Sequence, residues 1–162
     1  MPVLIDFESV SRCDLKNHGG RLYWEHESTF PLCCVLYDTD TGERDVWLNG
    51  DPTPSMIRPG VTLAAHNMMG FDRFGLIRLG WIDEDHDPSE LIDTSELARR
   101  AGLPGALDAL GTRWLGLPKD KVASRFTKDL STCRRPSGKK NPDAISPDDW
   151  RLLNAEEKRL LG

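Results

Sequence analysis

The sequence has no run of about eighteen apolar residues, the minimum for a membrane-crossing helix. A spanning protein is therefore not expected. Its start, Met1-Pro2-Val3-Leu4-Ile5-Asp6, has neither the basic opening nor the small-residue cleavage site of a secretory signal. The expected location is inside the cell. No C-x-x-C spacing occurs among Cys13, Cys33, Cys34 and Cys133, so a thiolate zinc site is not indicated. Cys33 and Cys34 lie in the apolar run Pro-Leu-Cys-Cys-Val-Leu-Tyr and read as packed, reduced thiols of a buried strand. Tyrosine occurs only at positions 23 and 37. There are no internal repeats and no sign of a second domain; with 162 residues the chain reads as a single domain over residues 1–162.

The net charge is −5, which does not favour a nucleic-acid binder at first sight. The charge is uneven, however. Residues 119–140 carry Lys119, Lys121, Arg125, Lys128, Arg134, Arg135, Lys139 and Lys140 against Asp120 and Asp129. A basic segment on an acidic body suits an enzyme that holds a phosphate chain beside a carboxylate site. A solvated basic connector is the alternative.

The apolar pattern gives an element order. Pro2 to Phe7 reads as a strand, and residues 9–30 as irregular, with Gly19-Gly20 as a turn. Leu32 to Tyr37 and Arg44 to Leu48 flank a turn-rich stretch and read as an antiparallel hairpin. Val61 to Ala65 is a short strand, followed by helical spacing at Phe71, Phe74, Leu76, Ile77 and Leu79 that Gly80 stops. Glu90 to Ile92 leads into a helix capped near Asp93-Thr94-Ser95 and ended by Gly102; another helix follows Pro104. Residues 117–146 read as a connector, and Ser146-Pro147-Asp148-Asp149 as the start of a last helix. The fold class is α/β, with a mixed sheet and helices.

Two pieces carry chemistry. Asp6 and Glu8 sit at i and i+2 of the first strand and so share a face. Like charges this close raise each other's pKa unless a cation lies between them, and oxygen-only ligands suit hard cations such as magnesium or manganese. Taken alone, the pair reads as two exposed acids at a strand end. The second piece is Leu63-Ala64-Ala65-His66-Asn67-Met68-Met69-Gly70-Phe71-Asp72, a strand, a polar His-Asn pair and an acid at the opening of a helix. An acid there is often only a partner of the helix dipole. That reading leaves Asn67 and Phe71 unexplained at their spacing.

Together these resemble the DEDD 3′–5′ exonucleases. Ile5-Asp6-Phe7-Glu8-Ser9 looks like their first motif, D-x-E, and Asn67-x-x-x-Phe71-Asp72 like their second, N-x-x-x-(F/Y)-D. The likeness is closest to the proofreading domain of family A DNA polymerases, phage-type ones especially. Asp14-Leu15-Lys16-x-x-Gly19, Asp93-Thr94, Leu103 to Leu110 and Leu115-Gly116-Leu117 fit that group too. The resemblance covers nearly the whole chain. The family's third motif, Tyr-x-x-x-Asp or His-x-x-x-Asp on the last helix, has no counterpart here.

The resemblance implies an RNase H-like mixed sheet flanked by helices, shortened at its C-terminal end relative to the family. It implies two Mg²⁺ or Mn²⁺ ions bound with substrate, held by Asp6, Glu8 and Asp72 as metal ligands and catalytic acids. Asn67 would contact substrate or fix the metal-site loop. Phe7 and Phe71 read as packing ahead of base-stacking, with Phe7 still carried as a substrate contact, and His66 is expected to be structural. Tyr23 and Trp24 would stack on bases or pack. Lys139, Lys140, Arg134 and Arg135 would hold the phosphates of a single-stranded DNA 3′ end with little sequence preference. A DNA polymerase, in the same or a separate chain, is the implied partner, in a bacterial or phage-infected cell. Three readings follow. The first is an active nuclease whose fourth acid is Asp148, Asp149, Glu156, Glu157 or a residue of another chain. The second is a non-catalytic module that grips a nucleic-acid end, and the third a shortened polymerase fragment. The isolated chain is expected to be weak or inactive, because Asp148 and Asp149 open the last helix and lie far from where the fourth acid belongs.

Overall fold

The computed structural model describes residues 1–117. Strand β1 (Val3–Val10) is its spine. Val3, Ile5 and Phe7 are buried in alternation, while Leu4 and Asp6 between them are exposed, the period-two pattern of a strand with one face in the core. Strand β2 (Phe30–Asp38) runs antiparallel to it, and β3 (Arg44–Leu48) antiparallel to β2. On the other side β4 (Leu63–Ala65) pairs parallel with β1, and β5 (Leu91–Asp93) parallel with β4. The sheet order is β3-β2-β1-β4-β5. This five-stranded mixed sheet with its helices is an RNase H-like α/β architecture. The hairpin and the five strands stand where the apolar pattern puts them, with β1 reaching three residues further, to Val10.

The stretch after β1 corrects the sequence reading. Residues 9–30 are not an irregular loop, because they hold helix α1 (Leu15–Glu25). Asp14 caps it, accepting from the amides of Lys16 at 2.9 Å and Asn17 at 3.2 Å. Gly19 breaks its path with φ 76°. Two adjacent glycines argue against a helix on propensity. Here tertiary packing overrides propensity. Tyr23 and Trp24 project from α1 into the core, and Trp24 is 1% exposed. They are not base-stacking residues of a loop.

Beyond β4 the chain makes one π-helical turn (Met68–Asp72) and continues as α2 (Arg73–Arg78), ending at Gly80 with φ 67°. Helix α3 (Thr94–Arg100) follows β5, capped by Asp93 and followed by Gly102 in the left-handed region. Helix α4 (Leu107–Leu110) runs into a second π turn (Gly111–Leu115). The core gathers Ile5, Phe7, Trp24, Leu36, Trp47, Met68 and Leu76 between one sheet face and helices α1 and α2. Among the described residues no helix is long and apolar enough to cross a membrane. The basic segment, with Lys139, Lys140, Arg134 and Arg135, and the expected last helix, with Asp148, Asp149, Glu156 and Glu157, lie outside the described residues, as does Cys133.

Candidate carboxylate site

Asp6 and Glu8 occupy the face of β1 opposite Phe7, as the strand period requires. In the antiparallel register Asp6 stands opposite Val35 and Glu8 opposite Cys33. Asp6 is exposed and Glu8 half-buried. Phe7, between them, points the other way. It is 4% exposed, with its ring 5.7 Å from Trp24 and 5.5 Å from Trp81. Its ring is a core side chain, packed as the sequence reading expects.

Asp72 ends the π turn and is 4% exposed. Burial pushes its carboxyl up to about 7, and the charge of Asp6 pushes in the same direction. Hydrogen bonding from the amides of Phe7 and of Asp72 itself works against that rise, and the charge of Asp93 adds to it. Asp72 therefore lies near enough to β1 for its carboxyl to feel the charge of Asp6. Two carboxyl groups from elements more than sixty residues apart share one charge environment. Asp6 and Glu8 also act on Cys33, whose thiol is raised to about 12, chiefly by burial and then by those two charges. Burial likewise holds Cys34 well above the ordinary thiol range. Both are protonated, unreactive packing residues.

The three carboxylates do not form a closed metal-binding group. Among the described residues no three His, Cys, Asp or Glu side chains are gathered closely enough to hold an ion together. The structure brings Asp72 to Asp6 and places Glu8 on the same strand face.

The turn that delivers Asp72 is built locally. Asn67 adopts φ 117° and ψ 35°, the one positive φ among the described non-glycine residues. Asparagine is among the few side chains that tolerate this region. Its carbonyl accepts from the amides of Gly70 at 3.1 Å and Phe71 at 2.9 Å. Its side chain lies where a Cβ on Gly70 would fall, so a larger residue at Gly70 would have to displace the Asn67 side chain. Asn67 itself is exposed, at the opposite end of the turn from Asp72. His66 is fixed as expected. Its Nε2 donates to the Gly105 carbonyl at 2.8 Å, since that oxygen only accepts, and its Nδ1 faces the Thr94 hydroxyl at 3.1 Å.

One residue of this region is more than the sequence shows. Asp93 reads as an N-cap, and it is one, accepting from Ser95 N, Ser95 Oγ and Glu96 N. It also accepts from the Met69 amide at 3.1 Å, across to the π turn. A cap pattern signals only the local helix start, so nothing in the sequence marks the second contact. No protein-family model matches the chain, and no curated protein matches it.

Proposed function

We propose that this chain is a divalent-cation-dependent nuclease domain, a 3′–5′ exonuclease on single-stranded DNA of the kind that accompanies polymerase proofreading. The observation that carries the reading is the meeting of buried Asp72 with Asp6 on an RNase H-like sheet. A carboxyl desolvated and set beside a second carboxyl is unfavourable as an anion until a cation neutralises both. The donors are oxygen only, which fits Mg²⁺ or Mn²⁺ better than a soft metal.

Asp6 and Asp72 would hold the cation, and Glu8, on the same strand face as Asp6, would join them only once its side chain moved closer to the pair. A bound ion of this kind supplies an activated water and charge for the phosphate. The chain's own part is positioning. Hydrogen bonding of Asp72 by the Phe7 amide would keep the carboxylate pair in position before substrate arrives. Asn67, exposed on the turn before Asp72, offers an amide to the phosphate or sugar of the terminal nucleotide. The basic segment around Arg134, Arg135, Lys139 and Lys140 would track the backbone of the incoming strand.

Mn²⁺ binding is the first readout and strand shortening the second. Wild type should bind Mn²⁺ and shorten a 5′-labelled single strand from its 3′ end, and Asp6→Ala and Asp72→Asn should lose both. Binding without shortening favours the non-catalytic end-binding module. Mn²⁺ binding that survives both substitutions overturns the site.

A further inference from the structure

The π turn that carries Asp72 has no cap of its own. The first amides of any helical segment lack intrahelical partners, and the residue before the segment usually supplies an acceptor. Asn67 stands in that position and makes no side-chain cap. The acceptor comes from another element. Oδ2 of Asp93 takes the Met69 amide at 3.1 Å. Oδ1 of the same carboxylate takes Ser95 N at 2.9 Å, Ser95 Oγ at 2.6 Å and Glu96 N at 3.2 Å. One oxygen thus serves the start of α3 and the other the start of the π turn.

The strand register makes this possible. Asp93 ends β5 level with Ala65, which ends β4. The two chains leave the sheet side by side, one into α3 and the other into the turn. Thr94 adds a second stitch between them, with its hydroxyl 3.3 Å from the Ala65 carbonyl and 3.1 Å from His66 Nδ1.

We infer that Asp93 is a positioning residue for Asp72, locking the π turn to the end of β5 so that the Asp72 carboxyl is held beside Asp6. This rests on the reading of Asp6 and Asp72 as a cation-binding pair. Met69 lies within one turn of Asp72, so an untied Met69 amide releases the segment whose far end carries the ligand.

The decisive substitution is Asp93→Asn. Asparagine is as good an N-cap as aspartate, and its one oxygen can keep the α3 donors. Its second group is then an NH₂, a donor facing the Met69 donor, and the bridge is broken. A residue important only as a helix cap would be rescued by asparagine. A positioning residue would not. Groups that orient metal ligands typically change metal affinity by about 10- to 100-fold when mutated.

The measurement is the affinity for Mn²⁺ alone, from the electron paramagnetic resonance of free Mn²⁺, at a temperature where thermal melts show each variant folded. The expected result is a near-wild-type melting temperature for Asp93→Asn with Mn²⁺ bound about 10-fold more weakly. Asp93→Ser, which keeps a short cap but does not reach Met69, should behave alike and serves if Asp93→Asn folds poorly. Wild-type affinity in both variants overturns the positioning role while leaving the carboxylate pair intact. Equal Mn²⁺ affinity in wild type and Asp72→Asn removes the pair itself, and the role of Asp93 with it.

Discussion

Gly20 of α1 sits directly against the backbone of Gly70, so that a Cβ added at Gly20 would drive into the Gly70 carbonyl oxygen and crowd the Cα of Phe71. The obstacle is backbone, which cannot swing aside as a side chain would. Gly20→Ala is expected to cost about 1–3 kcal/mol, the usual range for overpacking, and to move the turn that carries Asp72. Gly19→Ala is a useful contrast. A Cβ there meets nothing within 4 Å, and only the positive φ of 76° penalises it. Its cost should be about 1–2 kcal/mol. Urea unfolding gives both values, and Mn²⁺ affinity should fall for Gly20→Ala alone.

Asp72 should make the metal-free protein less stable as pH rises. Its carboxyl lies at about 7 in the folded chain, against 3.8 for an ordinary aspartate. The folded state therefore holds the proton more tightly than the unfolded one. Stability from this group is full below about pH 4 and is lost as pH rises through about 7. At 1.36 kcal/mol per pKa unit the whole effect is at most roughly 4 kcal/mol. Asp72→Asn cannot ionise and should flatten the decline. The check is the difference between wild type and Asp72→Asn across pH 4 to 8, in chelator and again with Mn²⁺. Mn²⁺ should restore wild type at the alkaline end and leave Asp72→Asn unchanged.

Phe7 separates packing from binding. Its ring is in the core with Trp24 and Trp81, on the far side of β1 from Asp6 and Glu8. Phe7→Ala is expected to cost about 3–5 kcal/mol, as buried aromatic truncations do. Phe7→Leu should cost less and keep the fold. Single-stranded DNA affinity should be the same for Phe7→Leu and wild type when both are folded. A selective loss of affinity would return the ring to the substrate.

Charge reversal at Arg134, Arg135, Lys139 and Lys140 should weaken single-stranded DNA binding and flatten its salt dependence. Removing one cation from a phosphate lowers the log–log salt slope by roughly 0.7 for a single strand. Filter binding at several salt concentrations gives the slope directly. An unchanged slope would make the segment a solvated connector.

How much of this was legible beforehand differs from residue to residue. Alternation along β1 is local, so the shared face of Asp6 and Glu8 could be read from spacing alone, as could the hairpin of β2 and β3. Helix α1 could not, because its glycines read as a turn. What makes Gly20 necessary is Gly70, fifty residues away in the chain.

By itself the sequence determined the α/β class, the positions of the five strands, the face on which Asp6 and Glu8 stand and the cap that opens α3. All of these depend on neighbours within a few residues, where periodicity and propensity act. Only the tertiary structure decided that Phe7, Tyr23 and Trp24 are core, that Asp72 reaches Asp6, and that Asp93 serves two elements at once. Those outcomes depend on which backbone groups the parallel pairing of β1, β4 and β5 brings side by side, and sequence spacing carries no record of distances across a sheet.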